Sequence, residues 1–129
     1  MTNTTPAWTG GDLPQFGDAE EIEISTRRPD GALRPFVPIW VVAVDGSLYV
    51  RSYRGAEGAW YRHAIKRPAG VVRAPGRQVE VAIAAAEPGV REQVDAAYRA
   101  KYARYGATYL QPMLADQAVT ATLRLDPAH

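Results

Sequence analysis

The sequence contains no cysteine and only two histidines, His63 and His129. Without cysteine the chain can form no disulfide, no thiolate zinc site, no iron–sulfur cluster and no thiol nucleophile. Two histidines are also too few to build a metal site from imidazole ligands. We therefore expect no metal cofactor, and any chemistry must come from other side chains or from a bound organic molecule.

Long hydrophobic runs are absent as well. No stretch approaches the roughly 18 apolar residues that a membrane span requires. Residues 1–11 are polar and lack the basic and apolar regions of a secretory signal peptide. These absences predict a soluble, cytoplasmic protein that does not interact with a membrane.

The length and the apolar content suit one compact unit. The chain has 129 residues, of which 47% are hydrophobic, and its glycines and prolines fall singly between periodic stretches. A chain of this size buries roughly two thirds of the surface that its unfolded form exposes, so its core needs no cross-links. We expect a single domain over residues 1–129.

Charge is nearly balanced in total but unevenly distributed. The net charge is +1, yet residues 1–26 carry five acids and no base, whereas residues 27–77 carry ten bases against three acids, which leaves +7. Most of the bases are arginine, whose planar fork suits phosphate and carboxylate groups. The arginines indicate either an anion site or the codon preference of a GC-rich genome.

Several segments have the period-two or β-branched pattern of strands. The Asp45-Gly46 dipeptide between two β-rich runs predicts a hairpin with a type I′ turn. The run at residues 35–44 predicts one strand that is covered on both faces. The remaining strands are expected near residues 22–26, 48–50, 71–72, 79–83 and 119–125.

Helical patterns are fewer. We expect a helical turn at residues 13–16, a short helix at 58–67 that Pro68 ends, and a long helix at 88–105 that Gly106 ends. Five or six strands, mostly linked by hairpins, with one short and one long helix, fit a mainly β architecture. This order predicts a small antiparallel β-barrel with the helices packed outside it.

The densest group of candidate functional residues follows the hairpin strand and leads into the short helix. Its hydroxyl, guanidinium and backbone N–H groups could converge on an anion such as a cofactor phosphate. The alternative is a solvated basic loop in which Trp60 anchors the helix in the core. The candidates are Arg51, Ser52, Arg54, Gly55, Trp60, Tyr61 and Arg62.

Two further groups are candidates. Arg27, Arg28 and Arg34 flank the tight turn at Pro29-Asp30-Gly31 and could contribute to phosphate binding or remain solvated. On the long helix, the apolar face carries Tyr98, Lys101, Tyr102 and Tyr105. Tyrosines in such positions usually pack in the core, but Tyr98, Lys101 and Tyr102 could bind substrate at a pocket edge, and the two tyrosines could donate a proton. His63 is expected at the surface.

Motifs along nearly the whole chain resemble those of an uncharacterised bacterial family known only as a domain of unknown function. They include Arg27-Arg28-Pro29-Asp30-Gly31, Pro38-Ile39-Trp40-Val41-Val42, Leu48-Tyr49-Val50-Arg51-Ser52, Trp60-Tyr61-Arg62 and Thr122-Leu123-Arg124-Leu125. More distantly, the pattern is similar to the deazaflavin-dependent nitroreductases. That resemblance implies a split β-barrel, a homodimer, and a flavin, deazaflavin or haem group bound at the barrel edge.

Two functions stay open at this point. One is an oxidoreductase that uses a deazaflavin coenzyme or FMN, whose phosphate the basic loop would hold. The other is a non-catalytic module that binds a small anionic metabolite in the same cleft. Asp30 favours the second, because it stands where the deazaflavin enzymes tend to have a Lys-Ser-Gly turn. Nucleic-acid binding is not expected, since the bases form no recognised motif.

Overall fold

The computed structural model describes residue 8 and residues 10–128. Its strands are β1 (Ile22–Thr26), β2 (Val37–Ile39), β3 (Val42–Val44), β4 (Ser47–Arg51), β5 (Ala69–Ala74), β6 (Arg77–Ala85) and β7 (Thr122–Pro127). Its α-helices are α1 (Asp12–Gly17), α2 (Ala59–Lys66), α3 (Arg91–Tyr102), α4 (Ala107–Leu114) and α5 (Asp116–Thr120). Within this described part of the chain, no helix is long and apolar enough to cross a membrane.

The seven strands form one antiparallel sheet in the order β2-β1-β5-β6-β7-β4-β3. A flat sheet of seven strands would separate its edges by about 29 Å. Yet only Trp40 and Val41 lie between β2 and β3, the two edge strands, and such a link spans at most about 11 Å. The sheet must therefore curl so that its two edge strands approach each other at this link, which confirms the expected antiparallel barrel.

The strand expected over residues 35–44 is wrong as a single, doubly covered element. It is two short strands that pair with different neighbours, β2 with β1 and β3 with β4. Val37 and Pro38 are exposed, and Pro38 suits an edge strand because it has no N–H to donate. The break between the strands lies at Trp40 and Val41, inside a run of apolar residues that carries no break signal.

The hairpin expected at Asp45-Gly46 is confirmed. Both residues have positive φ, 48° at Asp45 and 81° at Gly46, as a type I′ turn requires. The pairing of Val44 with Ser47 encloses these two residues and fixes the register of β3 on β4. The register matters for function because it determines which residues face each other where the pairing ends.

The long helix is also confirmed. It comprises α3 with a 3₁₀ turn at each end, Pro88–Val90 and Ala103–Tyr105, and Gly106 follows at a φ of 88°. Its apolar face packs on β3 and β4 and forms a second core outside the barrel. That core contains Val42, Tyr49, Val94, Tyr98, Tyr102, Leu110 and Met113.

The strand expected over residues 119–125 begins later than predicted, because residues 116–120 form α5. Hydroxyl groups favour the helical turns: Thr120 donates to the Asp116 carbonyl at 3.1 Å, and Thr122 donates to the Val119 carbonyl at 2.6 Å. Helix α4 was not expected either. Helix α4 supplies a wall of the site described next.

Candidate functional site

A cleft lies where the barrel wall is open. The last paired residues of β3 and β4 are Val42 and Tyr49. Continuing that register would place Trp40 opposite Arg51 of β4. The chain before Val42 instead belongs to β2, which pairs with β1, so β2 and β4 stay apart. The gap is a cleft of about 500 Å³, bounded on its outer side by α4.

Apolar and aromatic side chains line most of this cleft. Trp40 approaches it from the bend after β2 and Trp60 from α2, while Tyr109, Pro112 and Met113 come from α4. The charged residues on its lining are Glu21 and Arg51. The remaining lining residues are Val37, Pro38, Ile39, Tyr53 and Thr108. Such walls suit a planar, largely apolar ligand.

A smaller groove of about 250 Å³ continues from the cleft to the beginning of α2 and shares Val37, Tyr53 and Trp60 with it. Its other lining residues are Ser52, Arg54, Gly58 and Ala59. The first N–H groups of a helix have no partner within the helix, and no side chain caps α2. The groove therefore has partial positive charge that suits an anionic group.

Gly58 is needed for the shape of this groove. A Cβ atom at Gly58 would collide with the Ser52 hydroxyl oxygen. That hydroxyl is buried and donates to the Gly55 carbonyl at 2.9 Å, so it cannot easily move aside. The glycine thus lets the loop and the beginning of α2 approach each other closely.

The guanidinium group of Arg51 is not exposed and free to bind an anion, as its position at the end of the hairpin strand had indicated. Its side chain is fully buried, with Nε donating to Thr122 Oγ1 at 2.9 Å and Nη1 donating to the Met113 carbonyl at 2.9 Å. Nη2 donates to the Arg91 carbonyl at 3.3 Å, and Asp95 Oδ1 lies 2.5 Å from Nη1. Arg51 therefore joins α3, α4 and β7 beneath the cleft, and its charge is already paired.

The other predicted loop residues divide between the two sides of α2. Ser52, Arg54 and Trp60 face the groove, and Gly55 supports it with a φ of 62° against the backbone of Gln117. Tyr61 and Arg62 instead line a separate surface groove with His63 and Lys66. Burial lowers the pKa of His63, and the charges of Arg34, Arg62 and Lys66 lower it further.

The arginines at the first turn lie away from the cleft. Arg27 donates to the Gly31 carbonyl at 2.8 Å and pairs with Glu80 at 2.9 Å. Arg28 is exposed at the turn. Neither these two nor Arg34 lines the cleft or the groove.

Tyr98 and Tyr102 lie in the core rather than at a pocket edge, since both are fully buried. Burial raises the pKa of each hydroxyl. The Tyr102 hydroxyl accepts from the Val41 N–H at 3.0 Å and donates to the Glu20 carbonyl at 2.9 Å. Its ring stacks on Trp40 at 3.9 Å between centroids. Tyr102 therefore holds the bend between β2 and β3.

Lys101 lies on the other side of that bend, away from the large cleft. Its ammonium donates to the carbonyl oxygens of Gly17 and Val41, each at 2.6 Å. Among the described residues there is no cluster of three or more metal-ligating side chains. The site that the structure assembles is thus an aromatic cleft with an uncapped helix beside it.

One wall of the cleft was not predicted from the sequence. Tyr109, Pro112 and Met113 belong to α4, which the chain pattern had not indicated. The available signal was the i, i+3 spacing of Leu110 and Met113, both buried in the structure. Pro112 inside the helix obscured it, because proline usually argues against a helix interior.

Known structures share this fold. An F420-H2 dependent reductase (FDR-A) is 18% identical, with a TM-score of 0.61 over 83% of this chain and 93% of that chain. An FAD-binding protein (mll6688) from Mesorhizobium loti is 12% identical, with a TM-score of 0.62 over 98% of this chain and 93% of that chain. The haem storage protein HutZ from Vibrio cholerae is 10% identical, with a TM-score of 0.62 over 93% of this chain and 90% of that chain.

At these identities the likeness establishes the fold, which is that of the split barrels, and not the ligand. No curated protein has a matching sequence. The family is established by sequence: a family model described as "Uncharacterized protein conserved in bacteria (DUF2255)" matches residues 12–125. The chain belongs to this bacterial family.

Proposed function

We propose that the protein is an oxidoreductase that binds a flavin or deazaflavin cofactor, with the ring in the aromatic cleft and a phosphate at the beginning of α2. One observation carries the proposal: the opening in the barrel wall is an apolar cleft that continues into a groove at an uncapped helix N-terminus. This pairing of surfaces matches the two parts of such a cofactor, an aromatic ring and an anionic tail.

The residues present fit that group. A volume of about 500 Å³ falls in the range of small-molecule sites, roughly 300–1,000 Å³. Trp40 and Trp60 offer aromatic faces against which a planar ring would pack. A bound flavin or deazaflavin would supply the hydride chemistry, for which the chain needs no nucleophile of its own.

The tail would be held by charge and by backbone donors. Arg54 is exposed at the groove, and its Nε donates to the Tyr53 hydroxyl at 3.2 Å, which orients the guanidinium. Gly58, Ala59 and Trp60 at the beginning of α2 line the same groove, and the first N–H groups of a helix have no partner within it. Arg51 does not bind the tail in this proposal, because it is buried and paired with Asp95; it supports the floor of the cleft.

The test is a calorimetric titration of FMN, the deazaflavin coenzyme and inorganic phosphate into the wild type, Arg54→Ala and Arg62→Ala. The two arginines line different grooves, so Arg62→Ala is a matched control for lost positive charge. We expect one of the two cofactors to bind, and Arg54→Ala to weaken its binding roughly tenfold or more because a charge-assisted bond is lost. Arg62→Ala should change binding little.

Three results would contradict the proposal. Binding of no cofactor below millimolar affinity would remove its basis. Equal weakening in both variants would indicate a general charge effect rather than a site at the groove. Binding of phosphate alone would favour the module for a small anionic metabolite.

We further propose that two copies associate, as the family resemblance implies. Three exposed large hydrophobic side chains, Val37, Tyr53 and Tyr109, border the cleft. Light scattering of the purified protein would measure the assembly, and a monomer at all micromolar concentrations would contradict a stable dimer.

A further inference from the structure

A second cleft, of about 380 Å³, lies between the end of α1, strand β3 and α3, and shares no lining residue with the large one. Its walls include Gly17, Val42, Ala43, Ala97 and Ala100. Two residues with ionisable side chains also line it, Lys101 and Asp18. A lysine amine among apolar residues can act as a nucleophile toward a carbonyl compound, because desolvation favours its neutral form.

The hydrogen bonds of Lys101 leave one position of its nitrogen open. Nζ donates to the Gly17 and Val41 carbonyls at 2.6 Å each. A neutral amine has two N–H groups and one lone pair, so both bonds persist when the third proton leaves. The lone pair then takes the remaining tetrahedral position, directed away from both carbonyls, on a side chain that lines the cleft.

The surroundings favour that neutral form. Burial lowers the pKa of Lys101 to about 8, and Arg104 acts in the same direction, whereas Asp18 and Glu20 oppose it. The Tyr102 ring lies 5.1 Å from Nζ and is uncharged. An ordinary lysine has a pKa of about 10.4 and is almost wholly protonated at neutral pH.

We propose that Lys101 is a nucleophilic amine that forms a reversible imine with a small, uncharged aldehyde entering this second cleft. The Nζ lone pair attacks the carbonyl carbon, a C–N bond forms, and the carbonyl oxygen takes up the proton that nitrogen releases. That oxygen then leaves as water with the second proton of the nitrogen, which gives the C=N bond. In the neutral imine, Nζ has given up its hydrogen bonds to the Gly17 and Val41 carbonyls. Asp18 is placed to carry the proton, and its charge disfavours anionic carbonyl compounds. This chemistry is independent of the proposed cofactor site.

The chain has one other lysine, the exposed Lys66, so the reactivity of Lys101 can be compared directly with that of an ordinary lysine. The protein is treated with propionaldehyde and cyanoborohydride at pH 7.5, which traps the imine as a propyl group, and peptides are analysed by mass spectrometry over time. We expect Lys101 to react roughly tenfold faster than Lys66, since far more of it is neutral. The α-amine is quantified on its own peptide.

Two variants serve as controls. Lys66→Arg should keep the fast reaction, and Lys101→Arg should lose it while retaining a positive charge. Circular dichroism checks that both variants are folded. The proposal is overturned if Lys66 reacts as fast as Lys101, or if Lys101 is modified only when urea unfolds the chain, because the labelling would then follow exposure alone.

Discussion

At the residue scale, Arg51 is a buried cation whose charge is paired inside the protein. Four groups surround its guanidinium: Thr122, the carbonyls of Met113 and Arg91, and the Asp95 carboxylate. Truncating one partner of a buried ion pair leaves the other charge and several acceptors unsatisfied. We expect Arg51→Ala to lower the free energy of unfolding by about 3–5 kcal/mol.

Urea denaturation would measure this loss, with Arg54→Ala as the control. Arg54 is exposed three residues further on, so its truncation should change stability by no more than about 0.5 kcal/mol. Equal urea midpoints for the wild type and Arg51→Ala would mean that Arg51 is solvated, which was the alternative of a solvated basic loop.

The contacts of Arg51 also mark a limit of sequence analysis. Its position directly after a strand, before a glycine-containing loop, was visible from the sequence. Its acceptors were not, because Met113 and Thr122 lie 62 and 71 residues away along the chain. A single sequence indicates which residues are capable of binding an anion, but the partner that neutralises a charge depends on tertiary packing.

At the scale of elements, the approach of the loop to α2 depends on Gly58. Its φ of −65° is accessible to alanine, so the backbone is not the constraint. The constraint is the Ser52 hydroxyl, which an alanine Cβ would overlap. We expect Gly58→Ala to destabilise the protein by about 1–3 kcal/mol through overpacking.

A double-mutant cycle separates this contact from any general effect of the substitution. Ser52→Ala removes the hydroxyl oxygen, so Gly58→Ala should cost clearly less in the Ser52→Ala background than in the wild type. Thermal unfolding of the four proteins gives the coupling. Strict additivity would show that the two residues do not clash and that the groove tolerates a side chain there.

Elements were predictable where a local signal determines them. The Asp45-Gly46 turn and the periodic face of α3 were recognised, because turn chemistry and helical spacing are local. The bend between β2 and β3 was not, because it is stabilised by the Tyr102 hydroxyl from a distant helix. The cleft exists because of that bend, so its position could not be predicted from the sequence.

At the scale of the whole molecule, ion pairs formed on folding neutralise part of the unevenly distributed charge. Acids of the first segment pair with bases from later parts of the chain, Asp12 with Arg77 at 2.9 Å and Glu23 with Arg73 at 2.8 Å. Glu20 likewise pairs with Arg104. These partly exposed pairs contribute little stability each. The pairs of Arg73 and Arg77 do reduce the positive charge that residues 27–77 had indicated.

The stability of the whole molecule should depend on pH through Lys101, which connects α1, the β2–β3 bend and α3. Its pKa is lowered to about 8 in the folded protein, whereas the unfolded chain has an ordinary value of about 10.4. Between these values the unfolded state binds more protons, so the free energy of unfolding should rise as pH increases from about 7.5.

Comparison with Lys101→Met isolates this effect, since other titrating groups cancel in the difference. Burial raises the pKa of Tyr98 and Tyr102, so those hydroxyls act in the opposite direction only above about pH 10. Urea denaturation at pH 7.5 and pH 9.5 should therefore show the wild type gaining stability relative to Lys101→Met. A constant or shrinking difference would mean that Lys101 stays protonated in the fold, and that its bonds to Gly17 and Val41 are those of an ammonium group throughout this range.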